Sequence, residues 1–438
     1  MRHDRTELLQ AGRPHLKDRD LLAAMFSAAV RSADPSTGLR TYLPQAPADG
    51  RTIVVGAGKG AAQMAAALER LWEETYPDRP LTGVVVTRYG YGCETRSIEV
   101  LEAAHPVPDK AGLAGAQRLV EDVSELTEDD LVIALVCGGG SALLPAPPQG
   151  MTLADEIALN EQLLASGAPI AAMNIVRKHL STIKGGRLAA ATRARVVSMI
   201  VSDIPGDNPA FVASGPTIPD HTTRHDALGI VEQYGLALPP AMMNHLLSPA
   251  ADAPHPHDPI FERHEHHIIA SAGVSLEAAA EIARAHGVTP HILSDAIEGE
   301  ARDVALVHAA IAREVAQRDR PFARPTVLLS GGETTVTLKS KGGKGGRNGE
   351  FALALALAID GHEIVALAAD TDGIDGSETN AGAYVDGTTA RRLRAAGLDG
   401  RKLLDTNNSF EAFSALGDLF ETGPTGTNVN DFRAILIR

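Results

Sequence analysis

Cysteine is nearly absent: Cys93 and Cys137 are the only two in 438 residues, so no disulfide framework is available, and neither has metal-ligand spacing around it. A reducing compartment fits that usage. Aromatic residues make up only 4% of the chain, while Ala, Leu, Val and Gly are abundant. That balance suits helices packed over parallel strands better than an all-β sandwich. No apolar run approaches about 18 residues, and the opening MRHDRTELLQAGR lacks the apolar core of a secretory signal, so a soluble cytoplasmic protein is expected. Basic residues are in the minority, 40 Lys plus Arg against 55 Asp plus Glu, for a formal charge of −15. Such a field repels nucleic acid and anionic membranes and leaves a small molecule as the expected partner. Two motifs are also missing: Walker A, GxxxxGK[ST], and the GxSxG nucleophile elbow.

The length exceeds one ordinary core and suits two domains. Apolar strands ending in glycine-rich turns alternate with helical segments from RTIVVGAGKGA onwards, which predicts a doubly wound parallel sheet with ligands at the strands' carboxyl ends. Residues 248–266, rich in proline and histidine, show neither helical nor strand period and read as a linker. Their irregular spacing favours a solvated segment over a metal site. The expected organisation is therefore a Rossmann-like domain over 1–247, a linker, and a second α/β domain over 267–438.

Chemistry concentrates in the turns. GAGKGA matches a short dinucleotide fingerprint, yet the next strand ends in Thr87 and Arg88 instead of the acid that holds a ribose. Lys59 in that loop is placed to meet a carboxylate or a transferring phosphoryl group, with Gly58 allowing close approach. CGGGSAL offers Gly139, Gly140 and Ser141 as an anion nest before a helix, with helix capping the alternative for Ser141. NIVRKHLSTIKGG predicts a helical face bearing Asn174, Arg177 or Lys178, Ser181 and Lys184. SDIPGD and ADTDGIDG set Asp203, Asp207, Asp370, Asp372 and Asp375 at strand ends, where carboxylates hold magnesium or accept a hydroxyl proton. In SGGETTVTLKSKGGKGGRNGEF, Gly331 and Gly332 end a strand, and Lys339, Lys341, Lys344 and Arg347 crowd among glycines. A helix then starts whose free amides favour anions.

The ordered set VGAGKGA, EAAHPVPD, CGGGSALL, VRKHLSTIKGGRLA, SDIPGD, ASGPT, LLSGGETTVTL, GKGGRNGEFALALAL, ADTDGIDG and TGPTGTNVND resembles the glycerate 2-kinase family, whose C-terminal part is the MOFRL domain. The resemblance covers nearly the whole chain. It implies ATP- and magnesium-dependent phosphorylation of the 2-hydroxyl of D-glycerate, with the site in a cleft between two domains. It places the family's functional lysine on Lys59 and its arginine on Arg347. Asp203 and Asp372 resemble acidic positions near the transferred group, with the division between metal ligand and base left open. Asp207 and Asp370 are the metal candidates. Gly58, Gly139, Gly140, Ser141, Lys184 and Asn348 are expected to contact substrate or phosphate, and Gly331, Gly332 and Glu333 the nucleotide. The rival is an NAD(P)H-dependent hydroxypyruvate reductase, a name often given to this family, and an inert sugar-acid sensor is a third reading. A homodimer and the true hydroxy acid both stay open.

Overall fold

Branched and small apolar residues dominate the strand segments, and each becomes a strand of one of two six-stranded sheets. The computed structural model describes residues 16–338, 342–425 and 427–438. Two compact units result, one spanning Pro35–Ile269 and the other joining residues 16–34 to Ala270–Arg438.

In the first unit the strands are β1 (Thr52–Ala57), β2 (Leu81–Arg88), β3 (Ile98–Ala103), β4 (Leu131–Cys137), β5 (Arg195–Val201) and β6 (Glu265–Ala270). They lie in the order β3-β2-β1-β4-β5-β6, and β1 is parallel to both β2 and β4. Alternation along β1 feeds two cores: Val54 packs with Met64, Leu68 and Trp72, and Val55 with Ala116 and Leu119. Each fully buried side chain of this kind contributes about 1.5–3 kcal/mol, so helices Ala61–Thr75 and Lys110–Ser124 are pinned by their apolar faces. The order of strands reverses between β1 and β4, which sets the loops after these two strands side by side at a switch point.

The second unit contains β7 (Thr289–Glu300), β8 (Thr326–Thr335), β9 (Ile364–Asp370), β10 (Gly382–Asp386), β11 (Leu419–Phe420) and β12 (Asp431–Ile437), ordered β11-β10-β9-β12-β8-β7. It is mixed: β12 runs antiparallel to both β8 and β9, while β7 and β8 are parallel. Helix Arg347–Ala358 is apolar on nearly every side, with Phe351, Leu353 and Leu355 fully buried, so it forms the middle of this unit's core.

Three expectations change. Gly331 and Gly332 do not end their strand, because β8 continues to Thr335. Gly332 has φ +118°, and a Cβ there would collide with the backbone of Ile297 on β7, so the glycine serves a close strand approach. The segment 248–266 is not a free linker: its turns at Pro249–Ala251 and Pro259–Arg263 belong to the first unit. Ala251 is buried, and its carbonyl oxygen accepts from Arg187 at 3.0 Å. Side chains satisfy that backbone where a helix or ladder would, which is why no period appears in the sequence. Finally, helix Leu16–Ser32 belongs to the second unit and not to the domain that follows it in sequence. Leu22, Met25 and Phe26 pack with Phe420 and Phe432, and buried Arg19 pairs with Asp418 at 2.7 Å and Asp386 at 3.3 Å. Among the described residues no helix is long and apolar enough to cross a membrane.

Replacing Arg19 with Ala leaves two buried carboxylates with Arg392 as their remaining counter-charge. The expected cost is about 3 kcal/mol in urea unfolding followed by circular dichroism. A variant as stable as the parent would detach this helix from the second unit's energetics.

Candidate active site

In the first unit the switch-point loops are built around missing side chains. A Cβ on Gly138 would collide with the Asp203 carboxylate, one on Gly139 would lie 3.0 Å from Nε2 of His105 and 3.1 Å from Cγ of Lys59, and one on Gly140 would press on Ala213 and Ala57. Three glycines therefore gather Lys59, His105 and Asp203 around one turn. The Lys59 N–H donates to the Gly138 carbonyl at 2.9 Å and its own carbonyl accepts from Thr87 Oγ1 at 3.1 Å, so the loop is clamped while the ammonium stays exposed. His105 is half-buried, and burial, followed by the charges of Lys59 and Arg88, pulls its pKa below the usual range. It is a neutral hydrogen-bonding group at neutral pH. Buried Cys137 accepts from the Gly60 N–H at 3.2 Å, and burial pushes its thiol up to about 12, which excludes a thiolate nucleophile.

Ser141 continues from this turn. Its Oγ lies 2.8 Å from Ser214 Oγ, which donates to Asn174 Oδ1 at 3.0 Å, while the Asn174 amide donates to the Phe211 carbonyl at 3.4 Å. The single Ser214 proton goes to Asn174, so Ser141 donates to Ser214 and has no base to activate it. Arg177 ends the chain, donating to Asn160 Oδ1 at 2.8 Å and Asn174 Oδ1 at 3.4 Å, with no carboxylate partner among the described residues. Burial lowers its pKa, with the Glu156 charge opposing.

The shared helical face expected over 174–184 does not form, because the helix ends at His179. Lys178 is buried against Asp220 and over the Phe211 ring. Lys184 is buried too, donating to Leu144 O at 3.0 Å and Glu156 at 2.8 Å. Its role is internal, which corrects its expected contact with substrate. A buried ammonium requires that compensation. Asp207 stands in the turn after Asp203 with left-handed φ of 51°.

In the second unit the hub is Asp431, buried at the start of β12. Oδ1 accepts from Arg347 Nε at 2.6 Å and Asn348 Nδ2 at 2.9 Å. Oδ2 accepts from the Thr334 N–H and hydroxyl at 3.0 Å each and from fully buried Arg433. Arg347 spreads its other nitrogens to Asp370 at 2.9 Å and Glu333 at 3.2 Å. Burial opposes its charge, but Asp431, Asp370 and Glu333 hold its pKa above the ordinary value. Burial raises the Asp370 carboxyl despite Arg347, and the negative charges of Asp372 and Asp431 add to the rise.

The amides at the start of helix Arg347–Ala358 are not free for a ligand, as the sequence suggested. Asp375 reaches back from the ADTDGIDG loop and accepts from Asn348 N–H at 2.9 Å and Gly349 N–H at 2.7 Å. The protein's own carboxylate is the anion at that N-terminus. The cluster thus contains Arg347, Asn348, Glu333, Asp370 and Asp375, with Asp372 joined through its N–H to Asp370 at 3.1 Å. Lys344 lies outside it, exposed and 3.6 Å from Glu378. Lys339 and Lys341 fall outside the described residues. Gly331 gives its carbonyl to Arg433 at 3.2 Å, and Glu333 turns a negative charge towards Arg347; the SGGE segment is part of strand β8 and carries an acid. Sequence reasoning left His105, Ser214 and Asp431 without roles. EAAHPVPD, ASGPT and TNVND were visible as motifs, but each residue acquires meaning only from a partner more than thirty positions away.

A family model described as a domain of unknown function, DUF4147, matches residues 21–247, and the MOFRL family model matches residues 326–431. A protein from Agrobacterium vitis with a provisional hydroxypyruvate reductase name is 48% identical over 444 residues, covering 100% of this chain and 99% of its own. The glycerate 2-kinase of Pyrococcus horikoshii is 42% identical over 392 residues, 87% of this chain and 86% of that one. The crystal structure of a glycerate kinase from Thermotoga maritima superposes with a TM-score of 0.85 at 37% identity, covering 96% of this chain and 100% of that one.

Burial pushes the Asp375 carboxyl up to about 6, against an ordinary 3.8. The folded form therefore holds its proton more tightly than the unfolded form, and the stability this gives is present at low pH and lost as pH rises through about 6. Relative to Asp375→Asn, the parent should lose roughly 3 kcal/mol between about pH 4 and 7 in equilibrium unfolding. A pH-independent difference would refute the assignment.

Proposed function

The chain belongs to the glycerate 2-kinase family, and on that premise we propose that it transfers the γ-phosphoryl group of ATP to the 2-hydroxyl of D-glycerate, giving 2-phosphoglycerate and ADP. The observation that carries the reading is the exposed Lys59 ammonium held at the Gly138–Gly139 turn with the Asp203 carboxylate on that same turn. A cation and a proton acceptor at a strand-order switch point are what phosphoryl transfer asks of a protein, since the reaction needs positioning and charge neutralisation more than covalent help. The 2-hydroxyl oxygen bonds to the γ-phosphorus, the bond from that phosphorus to the β,γ-bridging oxygen breaks, and the hydroxyl proton passes to Asp203. Lys59 offsets charge on the transferring group.

Glycerate's own carboxylate calls for a second cation. Arg177, with two asparagine oxygens as its hydrogen-bond partners among the described residues, fits that role, and the Ser141–Ser214–Asn174 chain ties it to the turn. Phosphates are better served by the Gly138–Gly140 turn than by SGGE, which carries the acid Glu333. Within the second unit, Arg347, held by Asp431, is the candidate for charge stabilisation.

Magnesium fits the second unit's acids. The donors around Arg347 are all oxygen, acids outnumber guanidiniums there, and the Asn348 Oδ1 atom is buried without a partner among the described residues. Among the described residues those acids do not converge as a cage of three, so Asp370 and Asp372 would hold the ion together with nucleotide oxygens, the usual magnesium arrangement. When bound it neutralises charge between the β- and γ-phosphates. Asp207 is the corresponding candidate in the first unit.

For the reductase reading, β2 ends without a ribose-binding acid, and Gly58 is explained by packing, since a Cβ there would collide with Cys137. Purified enzyme with D-glycerate, ATP and magnesium should form ADP and 2-phosphoglycerate; NAD(P)H oxidation by hydroxypyruvate without ADP formation would overturn the proposal. Lys59→Ala should lower kcat at least about a hundredfold with an unchanged melting temperature, because its side chain is exposed. Arg347→Ala should lower kcat as far, but also destabilise the fold by stripping Asp431 and Asp370 of a counter-charge, so its turnover is to be normalised to folded protein. Near-native turnover in either variant removes that residue from the site.

A further inference from the structure

The segment 248–266 brings together what its sequence left scattered. His255 and His257 stand on one exposed turn, and His221, from the chain just after the ASGPT loop, meets them there; one nitrogen of each lies within 4.8 Å of the others. We propose that these three imidazoles form a surface site for a borderline-soft divalent ion of the zinc class, distinct from the magnesium-binding acids and independent of the phosphoryl-transfer reading.

The ring centroids are 5.0, 5.1 and 5.7 Å apart. Imidazoles bound tetrahedrally at a Zn–N distance of about 2.05 Å have centroids about 5.2 Å apart and ligating nitrogens about 3.4 Å apart. Nδ1 of His221 and Nε2 of His255 are already 3.3 Å apart. The planes are inclined at 71°, 56° and 45°, so no pair is stacked and the rings splay about a common point. Three histidines leave a fourth tetrahedral position for water. The donor set also selects: three imidazole nitrogens, with no converging carboxylate among the described residues, suit zinc, nickel or copper and not magnesium or calcium.

Both sides of the site are anchored. Asp258 accepts from the His255 N–H at 2.8 Å, which holds the turn between Pro254 and Pro259. Neighbouring Asp220 is ion-paired to buried Lys178, and its other oxygen accepts from the Thr222 N–H at 3.0 Å. Coordination through His255 Nε2 moves that ring's proton to Nδ1 and gives up one long 3.3 Å contact with the His257 N–H, a small loss against a metal bond. The bound ion staples the 248–266 segment to the 220–223 turn.

The test uses full-length protein without a histidine tag, stripped by chelator and free of nucleotide. Zinc titrated by calorimetry should bind at one ion per chain, and cobalt should give the intense visible bands of a four-coordinate site. His221→Ala and His257→Ala should each weaken zinc binding at least about tenfold, abolish the cobalt bands and remove any zinc-induced rise in melting temperature. Their circular dichroism and magnesium-dependent turnover should match the parent's, because the side chains are exposed and outside the catalytic set. Absence of saturable binding would overturn the proposal, as would zinc binding that persists unchanged in the double variant of His255 and His257.

Discussion

The buried carboxylate of Asp431 is the constraint on which the second unit turns. A lone carboxylate in that position would be costly to desolvate, so it is surrounded by two guanidiniums, an amide and a threonine. Those partners come from β12, β8 and helix Arg347–Ala358, which cross-links the central strand to its neighbour and to the core helix. Breaking a buried pair of this kind costs about 3–5 kcal/mol, comparable with much of a domain's net stability. The same bond orients Arg347, because only a guanidinium already held at Nε can spread its remaining nitrogens to Asp370 and Glu333.

The first unit solves a similar problem with small residues. Lys59 is exposed and needs no buried partner; what it needs is a fixed backbone and room. Gly138, Gly139 and Gly140 provide the room, each for a different neighbour, and backbone bonds to Gly138 and Thr87 provide the fixity. The two clusters therefore differ in physical character. One has a solvated cation on a rigid turn, and the other has a cation locked among acids whose excess charge is suited to a metal ion.

Much of this was legible in the chain. Apolar runs ending in glycine marked β1, β4, β5, β8 and β9, because a strand buried on both faces must be apolar and a turn after it must be small. The loops bearing Lys59, Asp203, Arg347 and Asp370 could be read for the same reason. The mixed second sheet was not legible, since strand direction depends on how connections pass over the sheet. Nor was the capture of helix Leu16–Ser32 by the second unit, which follows from Phe26 meeting Phe420 and Phe432 and Arg19 meeting Asp418.

Sequence by itself determined the two-sheet α/β class, the strand-end turns and the chemical types gathered in them, because those depend on local period, glycine and charge. Only the tertiary structure decided which charges are spent internally. Lys178 and Lys184 went to buried acids, Asp375 to the helix amides that looked open to a ligand, and Asp431 to Arg347. It also brought His255 and His257, from a segment without pattern, to His221. A side chain's availability depends on its partner, and partners about twenty-five to four hundred positions away leave no trace in local spacing.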